Sequence, residues 1–263
     1  MASAPPETTA AASVDVGRVL SRGFAAMRAE FLAFFAVSLL LAGLPGLAMQ
    51  YWILRNIELA SANTELTGTF WAMTLGPLLV SLLSATLLQG ALTRSTVLQL
   101  NGRDADIGAS ALLTLRLLPA LIALSLVQAL MIGFGMILLI IPGVIIYCAT
   151  MVAVPAMIEE RRGIFESIGR SWDLTRGSRW AIFVLAILFA VFSFIVQTIV
   201  GLLSGGGLIE VGNAAYALRG GIAAGIGAAI STMIVAVLTA ALYVELREVK
   251  EGATSEELVT VFA

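Results

Sequence analysis

Apolar residues form five long runs along the chain, and short polar segments separate these runs. A helix that crosses roughly 30 Å of hydrocarbon needs about 20 largely apolar residues, so runs of this length predict transmembrane helices. The five runs cover residues 31–53, 69–93, 117–158, 180–203 and 220–244.

The third run is too long for a single crossing. At about 1.5 Å per residue, a helix over 117–158 would be about twice as long as the membrane is thick. Proline cannot continue the helical hydrogen-bond ladder and glycine readily takes turn conformations, so the adjacent Pro142 and Gly143 predict a tight turn. The pattern therefore predicts two spans, about 117–141 and 143–158. The alternative is one kinked helix followed by a buried stub.

Polar segments next to the runs carry an amphipathic helical pattern. In the clearest one, Ile164, Ile168 and Trp172 recur at intervals of four residues, while Glu166 and Arg170 occupy the other side. Such a helix is expected in the membrane interface, with its apolar face in the acyl region and its cations toward the headgroups. The predicted surface helices cover about 14–29, 106–116 and 163–177, the second being the weakest.

Each surface helix carries an acid near its start, Asp15, Asp106 or Glu166, where the helix dipole favours negative charge. We infer three copies of one unit, a surface helix followed by a span up and a span down. The alternative is that any such hairpin begins with a basic amphipathic segment. The predicted fold is an all-α polytopic membrane helix bundle. It has six transmembrane helices, interfacial amphipathic helices and three pseudo-repeated hairpins. Residues 14–250 form one membrane domain between a disordered tail, 1–13, and a C-terminal tail, 251–263.

Composition supports a lipid environment. Apolar residues make up 59% of the chain, charged residues 12%, and the mean hydropathy is +0.99, far from ordinary soluble proteins. The polar first thirteen residues lack the basic and apolar regions of a signal peptide, so the spans themselves are expected to drive insertion.

The distribution of positive charge predicts the orientation. With six spans, thirteen of the fifteen Lys and Arg residues lie on the side that both termini share, and only Arg55 and Arg219 lie opposite. Short loops rich in Lys and Arg stay cytoplasmic, so both termini are predicted to be cytoplasmic in a bacterial inner membrane. A five-span arrangement would place the basic segment 161–179 on the wrong side.

Candidate chemistry is sparse. The chain has no histidine and one cysteine, and every Asp, Glu, Lys and Arg lies at or outside the ends of the predicted spans. No catalytic, metal or cofactor site is therefore predicted, and no nucleic-acid partner. Mid-span polar residues such as Gln128 and Gln197 are expected to form interhelical hydrogen bonds rather than line a pathway.

The predicted functional residues are lipid contacts and packing positions. Arginines of the surface helices are candidates for anionic headgroups, two tryptophans for interfacial anchors, and a small-residue face for helix packing within the chain or between copies. These are Arg18, Arg22, Arg170, Arg176 and Arg179; Trp172 and Trp180; and Gly221, Gly225 and Ala229. A Glu159–Arg170 ion pair is predicted to hold the third surface helix to the bundle.

Residues 141–183, "IPGVIIYCATMVAVPAMIEERRGIFESIGRSWDLTRGSRWAIF", carry a recognisable pattern. Pro-Gly, a span, Val-Pro-Ala, Glu and an amphipathic Ser-Trp-x-Leu-Thr-x-Gly follow one another. This pattern resembles the membrane domain that precedes the catalytic domain of some glycerophosphodiester phosphodiesterases, and stand-alone bacterial inner-membrane relatives of that domain. The resemblance implies a six-span bundle without hydrolase activity, because the phosphodiesterase chemistry belongs to a separate soluble barrel.

The leading expectation is a non-enzymatic inner-membrane protein that organises or senses lipid, or scaffolds partners, through its basic surface helices. The alternatives are a transporter or channel for a small or lipidic solute and an accessory subunit of a lipid-metabolising enzyme. Expected partners are membrane lipids, further copies of the chain and a protein of lipid metabolism.

Overall fold

The computed structural model of the chain describes residues 14–52, 67–104, 106–203 and 214–252. Within these ranges the regular secondary structure is helical throughout. The predicted tail 1–13, most of the tail 251–263, and Arg55 lie outside the described residues. The helices are α1 (Val16–Ala29), α2 (Phe31–Trp52), α3 (Thr67–Leu100), α4 (Ile107–Leu138), α5 (Ile140–Thr150), α6 (Ala153–Glu160), α7 (Ile164–Thr175), α8 (Arg179–Leu203) and α9 (Ala214–Arg247).

Long apolar helices confirm the membrane fold class. Five segments in the described part of the chain are long and apolar enough to cross a membrane: Phe31–Trp52, Ile107–Leu138, Ile140–Glu160, Arg179–Leu203 and Leu218–Gly252. The remaining predicted span, 69–93, lies within α3, a helix of 34 residues that is not among the five. The all-helical membrane protein is thus confirmed, whereas a sixth crossing is not.

Helix α9 forms the centre of the bundle and contacts α1, α2, α3 and α8. Every residue from Ala236 to Leu246 is buried. Small side chains such as Ala240 and Ala241 let neighbouring helices approach, while Leu238 and Leu242 fill the space between them. This end of α9 is therefore enclosed by its neighbours over eleven consecutive residues.

The break inside the third apolar run lies at Leu139, three residues before the predicted turn at Pro142 and Gly143. Leu139 is extended (φ −163°, ψ 143°) between α4 and α5. Pro142 falls in the first turn of α5, where a missing N–H costs nothing because such groups have no intrahelical partner. Gly143 serves close packing instead, since a Cβ there would lie 2.8 Å from the Met136 backbone nitrogen.

The second predicted span of that run is itself bent. Helix α5 ends at Thr150 and α6 begins at Ala153 after a non-helical Val152 (φ −103°, ψ 16°). Pro155 lies in the first turn of α6, so it tolerates the bend without losing a hydrogen bond. Together α5 and α6 reach Glu160, two residues beyond the predicted end at 158.

Two of the three predicted surface helices are separate elements, α1 and α7. The third, 106–116, is not: α4 starts at Ile107 and continues through Arg116 and Pro119 into the apolar segment. Asp106 does cap it, because its Oδ1 accepts from the Gly108 N–H at 2.8 Å. With only two separate leading helices, the three-fold repeat is not confirmed.

The small-residue face of α9 packs against α2 of the same chain. A Cβ on Gly225 would lie 2.5 Å from the Gly43 carbonyl oxygen, and one on Gly221 would lie 3.2 Å from the Leu47 carbonyl oxygen. Ala229, one turn further on, is fully buried. Gly43 ends a π-helical turn, Leu39–Gly43, that shapes α2 at this contact.

We predict that Gly225→Ala lowers the thermal stability of the protein in detergent. The added methyl would meet backbone, which cannot move aside easily, and overpacking costs about 1–3 kcal/mol. Gly201→Ala is the matched control, because a Cβ there meets nothing within 4 Å. Equal melting temperatures for the two variants would contradict the close contact between α2 and α9.

Candidate lipid-facing site

Ion pairs surround the buried end of α9. Glu245 has a side chain with 0% exposure, and its oxygens lie 3.2 Å from Arg18 Nε and 3.1 Å from Arg22 Nη1. Arg22 also lies 2.7 Å from Glu248 Oε2. A buried carboxylate without a partner would cost several kcal/mol, so α1 is held where its two arginines neutralise Glu245.

A second group of charges fixes α7. Arg170 Nε donates to Glu160 Oε1 at 2.8 Å, and Tyr243 Oη donates to the same oxygen at 3.0 Å. Arg162 contacts the other oxygen of Glu160, and Arg170 also binds Glu251 through Nη2. Helices α6, α7 and α9 therefore meet at one carboxylate.

The charge on Arg170 is reinforced by these partners. Burial by itself would lower the pKa of Arg170, but its hydrogen bonds to Glu160 and Glu251 outweigh burial and raise the pKa above its ordinary value. Arg170 is consequently a permanent cation that fastens α7 to the bundle.

The predicted Glu159–Arg170 pair is wrong by one residue. Arg170 pairs with Glu160, whereas Glu159 Oε1 lies 3.5 Å from Arg94 Nη1 of α3. Consecutive residues of a helix point about 100° apart, so only one of two adjacent glutamates can face α7. The other faces α3.

The apolar faces of α1 and α7 are turned toward protein rather than lipid. Val19 and Met27 of α1 are buried, as are Ile168 and Leu174 of α7. Helical periodicity identifies an apolar face but not its partner, so the predicted immersion in the acyl region is replaced by packing on the bundle. Phe165 of α7, which is 76% exposed, and Phe24 of α1, which is 49% exposed, are exceptions.

The five candidate headgroup arginines fall into two groups. Arg18, Arg22 and Arg170 form ion pairs with acids of α6 and α9 or of the turn after α9. Arg176 and Arg179 have no acidic partner within 4 Å among the described residues. Arg176 is exposed, and the guanidinium carbon of Arg179 lies 5.0 Å from the centre of the Trp172 ring.

The two predicted anchors differ in exposure. Trp172 is half-buried beneath Arg179, whereas Trp180 is 81% exposed and meets Phe183 edge to face at 6.0 Å. An exposed indole at the start of a long apolar helix matches the depth at which tryptophan is enriched in membranes.

The mid-span glutamines do not line a shared polar route. Gln128 Nε2 donates to the Thr150 carbonyl at 2.7 Å and ties α4 to α5. Gln197 lies on an exposed face of α8. Gln128 thus has the interhelical role expected of it.

Sequence reasoning missed the acids of the C-terminal segment. Glu245, Glu248 and Glu251 recur every three residues in "YVELREVKEG", so they share one side of the helix end. That spacing, opposite two basic amphipathic helices, is the signal that could have found them.

We predict that Glu245→Gln destabilises the protein, because it removes the charge that Arg18 and Arg22 share. We expect the free energy of unfolding to fall by more than for an exposed ion pair, which contributes under about 1 kcal/mol, and by less than for a fully buried pair, which contributes about 3–5 kcal/mol. Glu248→Gln is the control, since that side chain is 53% exposed and its loss should be small. Thermal unfolding in mild detergent measures both, and a larger loss for Glu248→Gln would contradict the assignment.

Comparison with known proteins gives a family. The model of a family described as "Domain of unknown function (DUF7847)" matches residues 8–248, so the chain belongs to this family. It is also similar to the UPF0259 membrane protein plu2479 of Photorhabdus laumondii, with 35% identity over 91 residues, which are 35% of either chain. No solved structure matches. Neither description names a phosphodiesterase, so that part of the resemblance stays a prediction.

Proposed function

We propose that this member of the DUF7847 family is a non-enzymatic integral protein of the bacterial cytoplasmic membrane that organises or senses lipid of the cytoplasmic leaflet. The observation that carries the proposal is the α4–α5 hairpin, which has an apolar tip and a base held at the level of α7. Both termini are assigned to the cytoplasm because most cations lie on their side.

The base of the hairpin is tied at two points. Gln128 Nε2 binds the Thr150 carbonyl, and Ser171 Oγ of α7 donates to the Ala149 carbonyl at 2.7 Å. The outer face of α7 carries exposed Glu166, Asp173 and Arg176, which exclude it from the hydrocarbon. Residues 149 and 150 therefore lie at, or outside, the inner boundary of the apolar layer.

Helix α5 is too short to cross from that boundary. Its eleven residues, Ile140–Thr150, extend about 16 Å at about 1.5 Å per residue, roughly half of the 30 Å hydrocarbon core. The hairpin consequently enters and leaves on the cytoplasmic side. A hairpin adds two crossings if it spans the membrane and none if it does not. The assignment of both termini to the cytoplasm is therefore the same in either case.

The tip is built for a lipid environment. Residues 136–141 are all apolar and all exposed, and Ile137 reaches 84%. The turn keeps its backbone bonded: the Leu139 N–H donates to the Gly135 carbonyl at 3.1 Å, and the Leu139 carbonyl accepts from Gly143 at 3.4 Å. Non-helical backbone at membrane depth needs such internal partners.

A hairpin confined to one leaflet adds volume to that leaflet alone. Helix α7 packs against it at the boundary and is fastened by the ion pairs around Glu160. A rigid wedge of this kind favours membrane in which the cytoplasmic leaflet is expanded. It couples the protein to lipid packing without any chemical step.

The depth of the tip is tested with a nitroxide at Ile140→Cys in a Cys148→Ala background. We expect high accessibility to oxygen and low accessibility to a water-soluble nickel reagent, because the label would lie near the bilayer midplane. Leu203→Cys, at the far end of α8, is the control and should be reached by the nickel reagent. Equal nickel accessibility at both positions would place the tip at the far surface and overturn the proposal.

The lipid-organising role is tested in giant vesicles from which narrow tubes are pulled. We expect the protein to concentrate on tubes whose outer leaflet faces the cytoplasmic side of the protein, because that leaflet is the expanded one. Protein inserted in the opposite orientation should be depleted from the same tubes. Equal density on tube and vesicle in both orientations would contradict the wedge.

A further inference from the structure

A groove lies between α5 and α8 beside the hairpin. It encloses about 600 Å³ and is lined by apolar side chains of α5, by Phe183 and by the Arg179–Trp180 pair at the start of α8. The α5 residues are Ile140, Ile141, Val144, Ile145 and Cys148. Apart from Arg179, its lining is apolar or aromatic, so water would solvate it poorly.

Arg179 lines the groove and has no acidic partner among the described residues. Its side chain lies partly buried over Trp172, and its Nε lies out of contact with solvent and has no hydrogen-bond acceptor. No carboxylate of the described residues approaches it within 4 Å, in contrast to Arg18, Arg22 and Arg170. A buried guanidinium donor without an acceptor costs free energy unless a ligand supplies one.

We infer that this groove binds one anionic phospholipid, with the headgroup phosphate on Arg179 and an acyl chain along α5. A guanidinium matches phosphate through paired charge-assisted hydrogen bonds. The inference rests on the proposed function, because it needs the hairpin to lie within the cytoplasmic leaflet. It deepens that function by naming the lipid class and the residues that select it.

The dimensions of the groove fit this occupant. Cys148 lines the groove together with Arg179, and Ile140 lies at the tip of the hairpin. The two positions are eight residues apart, which is about 12 Å along the helix. That distance covers the upper part of an acyl chain whose phosphate sits at the level of Trp180. The exposed indole then lies beside the glycerol region, where tryptophan is favoured.

The test uses the full chain in phosphatidylcholine nanodiscs with tryptophan fluorescence as the readout. Trp52→Phe and Trp71→Phe leave Trp172 and Trp180 as the reporters. Phosphatidylglycerol brominated on its acyl chains should quench them at a lower mole fraction than brominated phosphatidylcholine does. Arg179→Gln should weaken this preference about fivefold to tenfold. Quenching by phosphatidylcholine should change less, because its choline cation already offsets the charge of its phosphate.

Two further variants separate the groove from general attraction to a basic surface. Arg176→Gln removes an exposed arginine outside the groove and should change the preference little. Val144→Phe fills the groove and should weaken quenching by both lipids, with the melting temperature confirming a folded protein. Equal effects of Arg176→Gln and Arg179→Gln, or no preference in the parent protein, would overturn the site. A tip still found near the midplane would then leave the proposed function standing.

Discussion

The structure depends on a carboxylate that has no access to water. Glu245 lies inside the packed end of α9, and Arg18 and Arg22 reach it from α1 to within 3.2 and 3.1 Å, which supplies the partners that a buried carboxylate needs. That requirement fixes α1 across the bundle. Glu160 imposes the same requirement on α7 through Arg170 and Tyr243. The amphipathic helices α1 and α7 are therefore fixed to the bundle by ion pairs and do not lie separately in the membrane interface.

Rigid attachment of α7 has a geometric consequence for its neighbours. Ser171 of α7 holds Ala149, and Gln128 ties α4 to the neighbouring Thr150. In the proposed arrangement the length of α5 therefore limits how deep the hairpin reaches. A helix of eleven residues cannot be stretched, and its apolar tip cannot be moved into water without exposing several large side chains. The ion pairs that hold α7 and the proposed shallow insertion of the hairpin are thus linked through the hydrogen bond between Ser171 and Ala149.

Hydrophobic run length predicted most of the fold, because burial in lipid demands about 20 apolar residues whatever the tertiary structure. Local chemistry predicted less. The break between α4 and α5 lies at Leu139 and not at Pro142. Proline is tolerated in the first turn of a helix, so its presence does not fix where the preceding helix ends. The apolar faces of α1 and α7 were visible as periodicity, but that pattern is the same whether lipid or protein covers it. The partner of Arg170 depended on which of two adjacent glutamates faced α7.

The same limit explains why five arginines looked equivalent in the sequence and are not. Their helical positions placed all five on the predicted cytoplasmic side, but ion pairing is decided by acids elsewhere in the fold. These acids are Glu160 of α6 and Glu245, Glu248 and Glu251 at or just after the end of α9. Once Glu245, Glu248, Glu251 and Glu160 have taken Arg18, Arg22 and Arg170, the attraction those cations offer to lipid is largely neutralised. Arg179 has no acidic partner within 4 Å among the described residues, lies over the Trp172 indole, and lines an apolar groove beside the hairpin. The proposed selectivity for anionic lipid therefore rests on one arginine rather than on a basic surface.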